Sequence, residues 1–138
     1  MTLTKKTEFG TVTLSDDIFA EILSDVFEKA PCGNRIWLST RRGRTITKVI
    51  YLSDTDLKRS IYWGFDEQGR VSLRFSVVVR FGISIRRVTR IISDMVAERI
   101  GEILGSPPSV ITIEIAGVRS RQMARRNTKV VYRYEDHG

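Results

Sequence analysis

The sequence predicts an α+β fold in which a small antiparallel or mixed sheet is covered on one face by two helices. Two patterns support this prediction: apolar and polar residues alternate from Val71 to Phe81, and two other segments repeat apolar residues at helical spacing. The length of 138 residues and the 41% hydrophobic fraction fit one ordinary globular core. The expected order of elements is β-α-β, an arm, and then β-β-α-β.

A strand and a helix are expected near the start of the chain. The residues from Glu8 to Leu14 alternate weakly, and Ser15 follows where its hydroxyl can cap a helix. The next two residues are aspartates, which favour the positive N-terminus of that helix, and Pro31 prevents its continuation. The short apolar segment from Ile36 to Leu38 is the expected second strand.

The middle of the chain, from Ser39 to Ser60, is interpreted as a variable arm with a short helical turn that Ser53 can cap. A hairpin follows, in which Ile61 to Phe65 pairs with Val71 to Phe81. Alternation gives the longer strand one apolar face and one polar face, and only Val78 departs from the pattern.

A second, longer helix is expected between Ser84, a suitable cap, and Gly105. The β-branched run from Val110 to Ile115 predicts a closing strand in the same sheet as the hairpin. Residues 1–118 are therefore expected to form one domain, followed by a basic tail or an added edge strand at 119–138. The helix residues expected to pack against the sheet are Ile22, Val26, Val88, Ile92, Val96 and Ile100.

The chain is strongly basic, with a net charge of +7 and a sequence pI near 10.0. Such a charge suits a polyanionic partner, and it equally suits a solvated surface without a partner. Acidic residues concentrate in the first helix, where Glu21, Asp25 and Glu28 share one face. This segregation predicts self-association, in which that acidic face or an open sheet edge meets a basic surface of another copy.

Two basic clusters are candidate binding sites. Arg86 and Arg87 lie in the first turn of the second helix, where cations oppose the helix dipole. Together with Arg90 they can bind a phosphate or carboxylate, or they can simply point to water. The second cluster follows Val118 and can contact an anionic membrane, neutralise nucleic-acid phosphates or guard an edge strand. Its members are Arg119, Arg121, Arg125, Arg126, Lys129 and Arg133.

The residues that catalysis usually needs are scarce. The chain has one cysteine, Cys32, and one histidine, His137, and it lacks a phosphate-binding glycine loop and a nucleophile elbow. We therefore expect no enzymatic activity, no cofactor, no metal and no small-molecule substrate. Apolar runs fall short of the ~18 residues of a membrane span, and the N-terminus lacks a signal-peptide core, so a cytoplasmic protein is expected.

Part of the sequence resembles the alkaline shock proteins of Gram-positive bacteria, a family of envelope stress response proteins. The best match is VSLRFSVVVRFGISIRRVTRIISDMVAERIGEIL followed by VITIEIAGV, which is similar to that family's strand, aromatic-glycine turn, long helix and closing strand. The opening GTVTLSDDIFAEIL is similar to its first strand and helix. The chain departs from the family at Ser93, where a glutamine is usual, and at Arg87, where an acidic residue is usual.

The resemblance implies a non-enzymatic interaction or scaffold protein in cell-envelope homeostasis. It also implies self-association and a place at the cytoplasmic membrane face, through a membrane-protein partner or the anionic lipid surface, which the basic tail would assist. The alternative is an RNA-binding module that uses the basic surface and tail, with Trp37, Tyr62 and Trp63 available for stacking on bases.

Overall fold

A computed structural model describes residues 2–7, 10–46, 58–120 and 123–136. It confirms the α+β fold: the two helices accompany a mixed five-stranded sheet and a separate two-stranded antiparallel sheet. In chain order the elements are β1 (Thr2–Thr7), β2 (Gly10–Ser15), α1 (Asp16–Lys29), a 3-10 turn (Gly33–Arg35), β3 (Ile36–Ser39), β4 (Tyr62–Phe65), β5 (Val71–Arg80), α2 (Ile85–Leu104), β6 (Val110–Arg119) and β7 (Met123–Arg133).

Strand β5 organises the larger sheet, because three other strands pair with it. On one edge it pairs antiparallel with β3 along its second half and with β4 along its first half. On the other edge it pairs in parallel with β6, and α2 forms the crossover that a parallel pair requires. Strand β7 then pairs antiparallel with β6 and forms the outer edge of the sheet.

Both helices cover the same face of this sheet. The odd-numbered residues of β5 point to that face, and Phe75 and Val77 are fully buried there. They join one hydrophobic cluster with side chains from α1, α2 and β6, and Phe27 meets the ring of Phe75 edge-on at 6.3 Å. All six predicted helix contacts belong to this cluster: Ile22, Val26, Val88, Ile92, Val96 and Ile100.

The two helices begin with different caps. Ser84 caps α2 as predicted, since its Oγ accepts a hydrogen bond from the backbone N–H of Arg87 at 3.3 Å. Ser15 occupies the corresponding position before α1, but its side chain makes no capping hydrogen bond. The adjacent Asp16 instead accepts a hydrogen bond from the indole N–H of Trp63 at 2.6 Å, which fastens the start of α1 to β4.

The two ends of the described chain form strands, of which one was not expected and the other is one of the two predicted alternatives. Strand β1 was not predicted, and it pairs with β2 along its whole length. After Val118 the chain forms the edge strand β7 and not a tail, because Tyr132 and Val130 alternate into the core while β6 offers its free edge. The helical turn expected after Ser53 lies outside the described residues.

The face of the sheet away from the helices is called the basic face below. It contains the even-numbered residues of β5 and their register neighbours, among them Trp37, Tyr62, Thr112 and Lys129. Val78 also belongs to it and is nevertheless fully buried, which explains the break in the alternation. The centre of this face is therefore covered, although neither α1 nor α2 packs there.

A short turn from Thr40 to Ile46, called the arginine turn, lies over part of the basic face. Its tip reaches β6, since a Cβ added at Gly43 would be 3.4 Å from the carbonyl oxygen of Ala116. The chain then returns along β3, where Ile46 N–H donates to the carbonyl of Leu38 at 2.9 Å. The turn thus covers a small part of the basic face and contains three arginines, Arg41, Arg42 and Arg44.

Candidate functional site

Opposite charges collect on the two sides of the molecule. The two helices contain eight acidic and five basic residues. The arginine turn and strands β5, β6 and β7 contain ten basic residues and one acidic residue, Glu114. That carboxylate forms an ion pair with Arg74 and accepts a hydrogen bond from Ser76 at 3.4 Å. The basic face is thus positive while the helical side is acidic on balance.

The arginine turn is held by its own backbone. Thr40 N–H donates to the carbonyl of Arg44 at 2.9 Å, and the Thr40 hydroxyl accepts from the N–H of Arg44 at 3.2 Å. Gly43 has φ +88°, a conformation that suits glycine at a tight turn. These bonds use the backbone and the Thr40 side chain, and Arg41, Arg42 and Arg44 are exposed.

A cavity of about 670 Å³ opens beside this turn. Its charged lining consists of four arginines: Arg41, Arg42, Arg44 and Arg59. Tyr62 lies on the same wall, where its hydroxyl accepts a hydrogen bond from Arg41 and its ring lies 5.6 Å below the Arg41 guanidinium. The backbone N–H of Arg41 donates to Ser60 at 3.0 Å, so the turn and β4 are joined. The arrangement suits an anion next to an aromatic ring.

The arginines continue in two directions from this cavity. A groove of about 330 Å³ runs between Arg41, Arg42 and Ala116 to Arg126 and Asn127 on β7. A further cavity of about 590 Å³ lies where β5 and β6 end, and it contains Arg80 and Arg119. No acidic residue lines any of these three spaces among the described residues. Together they form a discontinuous positive track across the basic face.

The predicted cluster at the start of α2 lies on the other side of the molecule. Arg86 and Arg87 are exposed there, which agrees with the alternative that they point to water. Arg90 is engaged within the chain, because it pairs with Asp94 at 3.3 Å and lies 5.1 Å from the centre of the Tyr132 ring. The structure brings none of these three arginines to the basic face.

The predicted C-terminal cluster is distributed along the edge of the sheet. Arg119 lies over the ring of Trp37 at 5.1 Å, and Arg126 extends the groove beside the arginine turn. Lys129 is exposed and lies in register with Glu114. Arg121 lies outside the described residues, and Arg125 is placed in β7 by its backbone alone.

The acidic residues predicted for self-association have unequal surroundings. Glu21 and Glu28 are exposed on α1. Asp25 is less exposed and joins the helices of its own chain, since its carboxylate lies 2.9 Å from Lys29 and 3.6 Å from Arg99. Asp25 therefore already has partners that a second copy would have to replace.

Three side chains of the site were missed or misplaced by sequence reasoning. Phe81, at the end of β5, is 73% exposed and lines the cavity with Arg119. Arg59 reaches the arginine turn from the far end of the arm. Trp63, expected to stack on bases, is buried on the helix-covered face. It points opposite to its neighbour Tyr62 because successive strand residues face opposite sides of a sheet.

The described residues offer little for thiol chemistry or metal binding. Burial raises the pKa of the Cys32 thiol, against the opposing charge of Arg35, so the reactive thiolate is less available. Among these residues no group of three or more histidine, cysteine, aspartate or glutamate side chains is placed to hold a metal ion. No helix in the described ranges has the length and apolar character needed to cross a membrane.

Comparison with known proteins does not place the chain in a family. No family model matches the sequence, and no curated protein or solved structure matches it significantly. The resemblance to the alkaline shock proteins therefore remains a prediction.

Proposed function

We propose that this protein is a non-enzymatic binding protein for single-stranded RNA, and that the RNA lies across the basic face. The observation that supports this most is the set of three arginine-lined spaces, two of them beside the arginine turn and one at the ends of β5 and β6, with an exposed aromatic ring in two of the three. Arginine neutralises phosphates, and exposed rings stack on unpaired bases. Both groups occur here within one surface.

The arrangement favours a single strand over a duplex. Tyr62 is 42% exposed and Phe81 is 73% exposed, so both rings can reach a base that is not already stacked in a helix. The arginines that line the three spaces come from the arginine turn, the segment before β4, and strands β5, β6 and β7, so a flexible strand can follow them. A rigid duplex would leave the rings without a partner, since its bases are stacked on one another.

A second candidate is the interaction or scaffold protein implied by the sequence resemblance. The observation that favours it is the opposition between an acidic helical side and a basic face, which allows copies to meet with opposite charges. In this version the basic face binds an anionic lipid surface or an acidic membrane protein at the inner face of the membrane. We rank it second because attraction to a lipid surface or an acidic protein does not require the arginines and rings to line concave spaces, as they do here.

The test is the binding of wild-type protein to a labelled single-stranded RNA, to the same sequence as a duplex, and to anionic vesicles. Each titration is repeated over a series of salt concentrations. The informative variant is Arg41→Gln with Arg42→Gln, and its matched control is Arg86→Gln with Arg87→Gln. Both pairs are adjacent, exposed arginines, so the two variants lose equal charge from opposite sides of the molecule.

We expect single-stranded RNA to bind most tightly and the Arg41 and Arg42 variant to lose about tenfold in affinity. Its slope of log affinity against log salt should fall in magnitude by about 1.4, the value for two lost phosphate contacts on a single strand. The control should bind as wild type does. Stronger binding to vesicles would favour the second candidate, and equal losses in both variants would show that net charge, and not the basic face, governs binding.

A further inference from the structure

The cavity at the ends of β5 and β6 differs from the other two in containing two aromatic rings. Its volume is about 590 Å³. The residues that line it are Asn34, Trp37, Arg80, Phe81, Arg119 and Ser120. The side chains of both arginines supply hydrogen-bond donors and no acceptor. The cavity thus combines flat apolar surface with a strongly donating rim.

Phe81 is an exposed ring on a fixed stretch of backbone. The residue is 73% exposed, the highest exposure among the large hydrophobic residues that the structure describes. Its backbone N–H donates to the carbonyl of Arg119 at 2.8 Å, which ties the backbone of Phe81 to the end of β6. An exposed aromatic ring at such a position can stack on an unpaired base.

Arg119 is oriented by the second ring. Its guanidinium carbon lies 5.1 Å from the centre of the Trp37 ring, within the range of a cation–π contact. A guanidinium that stacks on a ring with its flat side keeps its N–H groups, which form a planar fork, available to a ligand. Such a fork matches two adjacent acceptors on a ligand.

We propose that this cavity is a base-specific pocket for guanine, an inference that rests on the proposed binding of single-stranded RNA. The base stacks on Phe81, and Arg119 donates two hydrogen bonds to the adjacent O6 and N7 acceptors of guanine. Arg80 provides charge for the attached phosphate. Adenine presents an amino donor where guanine presents O6, and a guanidinium cannot accept from it. Trp37 acts as a positioning residue for Arg119.

Trp37 also provides a fluorescence signal for binding in this cavity. The chain has two tryptophans, and Trp63 is only 7% exposed, so a ligand in the cavity should change the emission of Trp37. The experiment titrates the full chain with guanosine, adenosine, cytidine and uridine monophosphates and follows tryptophan fluorescence. We expect saturable binding in which the guanosine nucleotide is bound about tenfold tighter than the adenosine nucleotide.

Three variants assign the roles. Phe81→Ala should remove the stacking surface and abolish the saturable signal. Arg119→Lys keeps the charge and loses the fork, so it should reduce the preference for guanine more than it reduces the binding of all nucleotides. Ile103→Ala is the control, because it removes an exposed apolar side chain from α2, on the helical side of the molecule, and should leave guanosine binding unchanged.

The outcomes separate this inference from the proposed function. Single-stranded RNA binding with equal response to all four nucleotides, or guanosine binding that survives Phe81→Ala, would overturn the guanine pocket and leave the RNA proposal in place. Guanosine binding that depends on Phe81, without any binding of the RNA strand, would support the pocket and overturn the RNA proposal. The absence of both would overturn both.

Discussion

The two faces of the five-stranded sheet are made from the same strands and have different chemistry. On β5 the residues of one parity are Val71, Leu73, Phe75, Val77 and Val79, none more than 1% exposed, and both helices pack against them. The residues of the other parity include Arg74 and Arg80, which are exposed. A single strand therefore contributes to the core on one side and to a charged surface on the other.

The faces also differ in how their polar groups are satisfied. On the helix-covered side the Tyr132 hydroxyl is buried and contacts the Thr89 hydroxyl at 2.7 Å and the carbonyl of Arg86 at 3.1 Å. On the basic face Arg41 and Arg119 lie against aromatic rings at the surface. Buried polar groups need hydrogen-bond partners like those of Tyr132 for the stability of the fold, whereas exposed arginines contribute little to that stability.

The largest expected loss of stability comes from a substitution at the centre of the helix-covered face. Phe75→Ala should lower the free energy of unfolding by about 3–5 kcal/mol, because it leaves a cavity against Phe27. The measurement is urea denaturation followed by circular dichroism. Its control is the neighbour Arg74→Ala on the basic face, which should change the value by less than about 1 kcal/mol. Similar losses in both variants would contradict the division between the faces.

A smaller loss of stability is expected for a substitution in the arginine turn. Gly43→Ala should lower the free energy of unfolding by about 1–2 kcal/mol, because φ +88° is unfavourable for a residue with a Cβ. Gly64→Ala is the control, since Gly64 lies in β4 with an ordinary φ and open space around its Cα. If the two variants were equally stable, the turn would not be held in the conformation described.

The smallest effect is a pH dependence on the helix-covered side. Burial raises the pKa of Tyr134 to about 12 from its ordinary 10.0; the contact with Ser93 opposes this rise and the hydrogen bond to Asp94 adds to it. The folded state therefore holds the phenolic proton more tightly than the unfolded state does. Its stabilising contribution is complete below pH 10 and is lost as the pH rises from 10 to 12.

Tyr134→Phe isolates this contribution, because the variant has no phenolic proton to lose. Its free energy of unfolding should fall less steeply than that of the wild type between pH 10 and 12 when both are measured by urea denaturation. Parallel pH profiles for the two proteins would show that the Tyr134 hydroxyl is not held as described.

The parts of the fold that follow one local pattern were predictable. The alternation along β5 and the helical spacing of α2, with its Ser84 cap and Gly105 end, each fix an element without reference to distant residues. For β7 the sequence allows either a tail or a strand, because the first half of this segment is polar and basic. It becomes a strand by pairing with β6. Strand β1 is polar in the same way and pairs with β2.

The site was less predictable than the fold, because it joins segments that are distant in sequence. The basic clusters near Arg41 and Arg119 are visible in the sequence, but only the pairing of β3 with β5 and of β5 with β6 brings them to one face. Phe81 resembles an ordinary residue at the end of a strand. Its exposure depends on the turn that follows β5, which no periodic pattern describes.

Arg70 joins the segment before β6 to the residue that follows the edge strand β7. Its guanidinium donates to the carbonyls of Pro107 at 3.2 Å, Pro108 at 2.7 Å and Tyr134 at 2.7 Å. These bonds close loops of 37 to 64 residues, whose entropic cost delays them until α2 and β6 are in place. The docking of β7 is therefore expected late in folding, and weakening this contact should speed unfolding while leaving the folding rate nearly unchanged.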